Sequence, residues 1–221
     1  MIRALIFDFD GLILDTETPD FTLLAEQYRA HGAELRVERW AAGLGTHGAY
    51  DPYAELEALI GQPLDGERLA RERRARYLAH IEQQPLQPGV LALLADAEVR
   101  NMPRAIASSS DRAWVEGWTT KHAIRSRFHC IRTRDDVARV KPAPDLFLAA
   151  AACLDVAPEA CLVLEDSPNG MRAAHAAGMA CVAVPIPAMA TADLPPHTLR
   201  LTSLADMSLA DLLAAVEARQ Y

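Results

Sequence analysis

The chain has 221 residues, 51% of them apolar and 24% charged, the balance of a globular protein able to bury a core without disulfides or structural metals. Its net charge of −8 works against a nucleic-acid partner, whose affinity would rest on Lys and Arg, but not against a small anion met by a few cations. No apolar run approaches the roughly 18 residues needed to cross a bilayer. The amino terminus also lacks the basic, apolar, small-residue succession of a signal peptide, so a cytoplasmic protein without membrane contact is expected.

In chain order, Ala4 to Phe7 comes first: a short apolar run followed at once by Asp8-Phe9-Asp10-Gly11. A run with no polar alternation suits a strand covered on both faces, as in parallel sheets. The period then changes. Phe21, Leu24, Ala25 and Tyr28 repeat at helical spacing, as do the apolar residues from Ala54 to Ile60 and from Leu69 to Ile81. Nothing between residues 16 and 85 reads as a buried strand, so this stretch is a helical insertion, closed by Pro85 and Pro88-Gly89.

Beyond it, apolar runs recur at Ala105 to Ala107, Phe128 to Ile131, Cys161 to Leu164 and Ala180 to Val184. Helical patterns lie between them, from Val90 to Ala97, Arg112 to His122, Asp145 to Leu154 and Pro168 to Ala177. Alternation of this kind indicates a doubly wound α/β domain. Asp111 and Ser167 are placed as amino-terminal helix caps, and Gly178 as a left-handed stop. Pro185 to Pro196 is a proline-rich loop, and the four cysteines show no metal-ligand spacing. Cys161 and Cys181, inside strand-like runs, read as buried thiols.

Polar groups collect just past the ends of these strands, the edge where open α/β sheets bind ligands. Asp8 and Asp10 follow the first, Ser108 and Ser109 the second, Glu165 and Asp166 the fourth. Lys141 stands before the helix after the third. Singly, each has a bland explanation: a surface DxD pair, a serine turn, a solvated lysine, a helix cap. Their placement at consecutive strand ends points instead to phosphoryl transfer. Asp8 would attack phosphorus as a carboxylate nucleophile. Mg²⁺ held by Asp8 and Asp166 would offset the repulsion between two anions, and Lys141 would neutralise charge on the equatorial oxygens. Ser108, with the N–H groups beside it, would hold a phosphate oxygen, and Gly11 would let the backbone come close. Asp10, two residues on, projects to the same side as Asp8 in an extended chain and suits proton transfer to and from the ester oxygen and water.

Asp8 to Glu17 (DFDGLILDTE), Ser108-Ser109-Ser110, Lys141-Pro142-Ala143-Pro144-Asp145 and Glu165 to Gly170 (EDSPNG) together resemble the haloacid dehalogenase superfamily, in the branch of phosphoglycolate phosphatase and β-phosphoglucomutase. The resemblance implies a Rossmann-like core of residues 1–15 and 86–221, with a helical cap domain of residues 16–85. It makes Asp8 the nucleophile, Asp10 the acid/base, and Ser108 and Lys141 phosphate ligands. Magnesium would be bound by Asp8, the Asp10 main-chain carbonyl and Asp166, with Glu165 close by. The second aspartate argues against carbon–halogen chemistry.

In the cap, Arg73 falls beside Leu69, Tyr77 and Ile81 at 100° per residue. It stands four residues before a tyrosine, as does a cap cation in related mutases; a solvated arginine face is the alternative. His47 is expected to be a solvent-exposed loop residue. Mutases of this kind carry a histidine where this chain has Asp20, which favours net hydrolysis. The expected function is therefore a magnesium-dependent phosphatase of small organic phosphate monoesters, acting as a monomer on a small phosphorylated metabolite. A hexose-phosphate mutase and a catalytically idle binding protein are the alternatives.

Overall fold

The computed structural model describes residues 1–45 and 51–219. The chain opens with β1 (Ala4–Phe7), every residue of it buried. Four helices follow: α1 (Glu17–Ala30), α2 (Val37–Ala41), α3 (Pro52–Ile60) and α4 (Gly66–Ile81). The remainder alternates as α5 (Val90–Val99), β2 (Arg104–Ala107), α6 (Arg112–Lys121), β3 (Cys130–Arg132), α7 (Asp145–Leu154), β4 (Cys161–Glu165), α8 (Pro168–Ala176), β5 (Ala180–Ala183), β6 (Leu199–Arg200) and α9 (Leu209–Glu217).

The six strands form one sheet in the order β3-β2-β1-β4-β5-β6, parallel throughout. The first strand is thus central, and β2 and β4 are its direct neighbours. Alternate residues of a strand face opposite sides, and β1 divides accordingly. Leu5 and Phe7 join Val90, Leu94, Val115, Leu209 and Val216 under α5, α6 and α9. Ala4 and Ile6 join Phe147, Ala150, Met171 and Ala174 under α7 and α8. Full burial of each large apolar side chain is worth about 1.5–3 kcal/mol, so both faces hold β1 in place.

Two elements differ from the sequence reading. The third strand starts at Cys130, because a short turn at Arg125–Arg127 precedes it and Phe128 packs edge-on against Phe7, ring centroids 5.7 Å apart. The sixth strand, two residues long with an exposed arginine, has no apolar run to announce it. Helix punctuation follows expectation. The Asp111 carboxylate accepts from the Trp114 N–H, the Ser167 hydroxyl from the Gly170 N–H, and Gly178 has φ of +72°. Cys161 and Cys181 are free and buried, whereas Cys130 and Cys153 form a disulfide between β3 and α7.

The helical insertion has its own core of Leu24, Tyr28, Trp40, Tyr53, Leu56 and Leu69, into which Ile186 and Met189 of the main domain reach. Its two connections run side by side. Leu14 forms an antiparallel bridge with Leu86, and the Gln87 N–H donates to the Ile13 carbonyl at 2.9 Å. The insertion therefore sits as a cap over the carboxyl ends of β1, β2 and β4.

Candidate active site

Asp8 is the first residue past β1, 5% exposed, its backbone N–H donating to the Leu164 carbonyl of β4 at 3.0 Å. Lys141 is fully buried under it. Its ammonium donates to Asp8 Oδ1 and, at 2.7 Å, to Glu165 Oε1, and lies 4.9 Å from the Phe147 ring centre. Burial opposes the Lys141 charge, but Asp8 and Glu165 outweigh it and hold the ammonium above its ordinary value. The other Glu165 oxygen accepts from the Ser167 N–H at 2.7 Å and hydroxyl at 3.0 Å. Glu165 is thus well engaged and holds Lys141, with lone-pair capacity left on Oε1. The space for its carboxylate exists because residue 170 is glycine, where a Cβ would overlap it.

Asp166 is the opposite case. It is 1% exposed, and neither carboxylate oxygen has a hydrogen-bond partner. A buried carboxylate so placed is costly unless something else meets its charge. Oxygen atoms of Asp8, Glu165 and Asp166 lie within 4.8 Å of one another. All-oxygen donors with unspent lone pairs fit a hard divalent cation such as magnesium. Without one, burial first, then Glu165 and Asp8, push the Asp166 carboxyl well above its ordinary value. Burial likewise pushes Asp8 up to about 8, with Glu165 and Asp10 adding to it and Lys141 opposing it.

Asp10 faces away from this cluster, towards the loop after β2. Its Oδ2 accepts from Ser110 Oγ at 2.6 Å and Ser108 Oγ at 3.2 Å, and its Oδ1 from Trp114 Nε1 at 2.8 Å. Ser108 is buried and also accepts from the Ser110 N–H at 3.0 Å. The Ser109 hydroxyl is spent elsewhere, donating to the cap carbonyl of Gly45 at 2.7 Å, so only its backbone is free for a phosphate. Gly11 has φ of +82°, and a Cβ there would meet the Asp166 carboxylate and Glu17; the neighbour that demands glycine is thus a carboxylate.

The two cap candidates meet each other. Arg73 of α4 donates from one terminal nitrogen to Asp20 Oδ1 of α1 at 2.6 Å, and from Nε to the Tyr53 hydroxyl at 3.1 Å. The Tyr53 hydroxyl donates to Gln27 Oε1 at 2.9 Å, and Trp40 Nε1 donates to the other Asp20 oxygen at 3.3 Å. Arg73 and Asp20 both line the cleft between cap and core, a cavity of about 460 Å³ that also contains Asp8, Asp10, Ser108 and Trp114. His47 lies outside the described residues. Sequence reasoning assigned nothing to Glu17, Arg74, Tyr77, Ser110 or Trp114, which line the same cleft. Glu17, partly exposed, has its carboxyl raised by desolvation first and by Asp10, Asp20 and Asp8 after it. Ser110 lies within the serine triplet that the sequence already singles out, whereas Trp114, on α6, has no such signal.

Residues 5–184, from β1 into the connection after β5, match the family of haloacid dehalogenase-like hydrolases. The chain belongs to that family. A putative phosphatase of Bacillus subtilis, YhcW, is 44% identical over 96% of this chain and 97% of its own. A CbbY variant from Rhodobacter sphaeroides, solved in complex with xylulose-1,5-bisphosphate, superposes with a TM-score of 0.72 at 31% identity, over 96% of this chain and 99% of that one. The β-phosphoglucomutase of Bacillus subtilis is 30% identical, over 83% of each chain. The protein is therefore an enzyme of the phosphatase kind within the haloacid dehalogenase-like hydrolases, with their Rossmann-like sheet and inserted cap. No helix among the described residues is long and apolar enough to cross a membrane.

Proposed function

We propose that this haloacid dehalogenase-like enzyme hydrolyses small phosphate monoesters of the sugar-phosphate kind through a phosphoaspartate on Asp8. The observation that carries the reading is the pairing, at one strand edge, of Asp8 held by a buried lysine with Asp166, whose buried oxygens have no partner. Asp8 and Asp166 would hold a magnesium ion, which would supply charge neutralisation between nucleophile and phosphate dianion. The residues do the rest. Asp8 attacks phosphorus as the ester P–O bond breaks, and Asp10 gives its proton to the departing oxygen. Asp10 then takes a proton from water, which attacks phosphorus and breaks the bond to Asp8, releasing phosphate. Lys141 keeps Asp8 oriented and faces the equatorial charge, while the hydroxyl of Ser108 and the N–H groups of its loop hold a phosphate oxygen.

Hydrolysis is favoured over mutase action because Asp20 is committed to Arg73 and Trp40. It offers neither a proton donor nor a free cation to retain a sugar between two transfers. The test is to incubate the protein and magnesium with fructose 1-phosphate and, separately, β-glucose 1-phosphate. Inorganic phosphate should accumulate from at least one, and excess chelator should abolish its release reversibly. Formation of glucose 6-phosphate faster than phosphate would replace this reading with the mutase; unimpaired release in chelator would remove the metal.

A further inference from the structure

We propose that Trp114 is a positioning residue that ties the Asp10 carboxylate to the cap, so that the seating of the cap governs the proton-transfer group. The inference rests on the phosphatase reading above, in which Asp10 exchanges a proton with the ester oxygen.

The indole is anchored from the core side. Asp111 caps α6 by accepting from the Trp114 backbone N–H at 2.7 Å, which fixes the start of the helix. The ring meets Trp118 edge-on with centroids 5.4 Å apart, and Nε1 donates to Asp10 Oδ1 at 2.8 Å. From the cap side, the Tyr77 ring stacks on Trp114 at 6.2 Å with planes 17° apart. The Arg74 guanidinium lies over both rings, 5.2 Å from the Trp114 centre and 5.4 Å from that of Tyr77. Tyr77 and Arg74 belong to α4, so one side chain is both a contact of the cap on the core and a clamp on Asp10.

The chemistry of the three clamping groups is unequal. Serine hydroxyls either donate or accept, whereas an indole N–H can only donate. Ser108 and Ser110 can therefore turn as Oδ2 changes its needs, while Trp114 keeps Oδ1 an acceptor and fixes the rotation of the carboxylate. Displacing α4 removes the stack and the cation from the indole, and the orientation of Asp10 loses its support on that side. Esters that leave only with a proton should feel this, and esters that leave without one should not.

Rates with magnesium are measured on two aryl phosphates of like shape: phenyl phosphate, whose leaving oxygen needs a proton, and p-nitrophenyl phosphate, whose anion departs unaided. Trp114→Phe keeps a ring against Tyr77 but deletes the N–H. Its kcat on phenyl phosphate should fall about 10- to 100-fold, a share of the roughly 10²–10⁴ that a positioned general acid supplies. On p-nitrophenyl phosphate the fall should stay below about threefold, because general-acid help is not required there. Arg74→Ala, at an exposed position with no part in the core, should give the same skew at about two- to fivefold, within the modest strength of an exposed cation–π contact. It decides the matter should Trp114→Phe fail to fold. Equal losses on both esters, or none on either, overturn the proposal. Asp8→Asn is run alongside: if it retains turnover the phosphatase reading falls, whereas an inactive Asp8→Asn beside an unskewed Trp114→Phe sinks this inference alone.

Discussion

The cluster beneath Asp8 and the plate of residues around Arg73 are both built on charge, yet they are held in different ways. Lys141, Glu165 and Asp166 are at most 1% exposed; Glu165 and Asp166 are held at the end of β4 beside β1, and Lys141 on the segment that leads into α7. Arg73 and Asp20 keep 20% and 30% of their side-chain surface and are carried by α4 and α1 of the cap, which pack on each other. Where charges are buried, removing one partner of a pair costs about 3–5 kcal/mol and the arrangement is obligatory. Where they are partly open to solvent, a pair is worth less, falling towards the roughly 0–1 kcal/mol of a fully exposed one, and its members are easier to exchange. The lower site is therefore suited to a fixed reaction, and the upper plate to choosing what enters.

The sharpest way to break this contrast is Asp8→Asn. An amide cannot attack phosphorus, so phosphate release should fall by on the order of 10⁴-fold or more while the far-ultraviolet circular dichroism stays that of the parent. Residual turnover near the parent rate, with deamidation excluded by mass spectrometry, would mean that the buried cluster is not the reacting one.

The next effect is on stability. Asp8 and Asp166 both have carboxyls raised in the metal-free fold, Asp8 to about 8. A carboxyl raised on folding contributes stability that is fully present below its unfolded value and is lost as pH rises through the folded one. The metal-free melting temperature should thus decline from about pH 4 to about pH 8, and magnesium should raise it most at the upper end, since it favours the charged carboxylates. Asp166→Asn should flatten both trends. A magnesium shift that is the same at both ends would show that the cation binds somewhere else.

The smallest effects belong to the cap. Asp20→Asn and Arg73→Ala should each change KM for fructose 1-phosphate by about two- to tenfold with little effect on p-nitrophenyl phosphate, as suits a partly exposed ion pair. Because the two side chains bond each other, the double variant should resemble a single one. Additive changes would show that Arg73 and Asp20 act on the substrate independently, and would dissolve the plate as a unit.

The same contrast explains what could be read from the sequence. Asp8, Ser108, Glu165 and Asp166 each follow an apolar run that only a doubly covered strand accommodates, so their convergence on one edge follows from the strands. Lys141 was legible from its place before α7. The cap was legible as helices, and Arg73 as lying on the inward side of one, but its partner depends on how α4 packs on α1. No periodicity carries that angle. Trp114 illustrates the limit best: an aromatic on a helix reads as core, and only the tertiary fold brings its N–H to Asp10. The Ser109–Gly45 bond and the Cys130–Cys153 disulfide were hidden for the same reason, each joining segments that the chain keeps far apart.

The central position of β1 also bears on how the molecule comes to be made. The strand that leads to Asp8 is made before both of its neighbours in the sheet, β2, from Arg104, and β4, from Cys161. Contacts across such separations form slowly, because the intervening chain must be ordered before they reward it. Until β2 and β4 have both been made and paired, the nascent chain has an apolar strand without its full set of sheet partners, and until Lys141 has been made an aspartate without its lysine. That interval is when the chain is most open to aggregation. Asp8 and Asp10, directly after Phe7, put negative charge at the end of that apolar run, and charge so placed disfavours pairing with the edge of another chain.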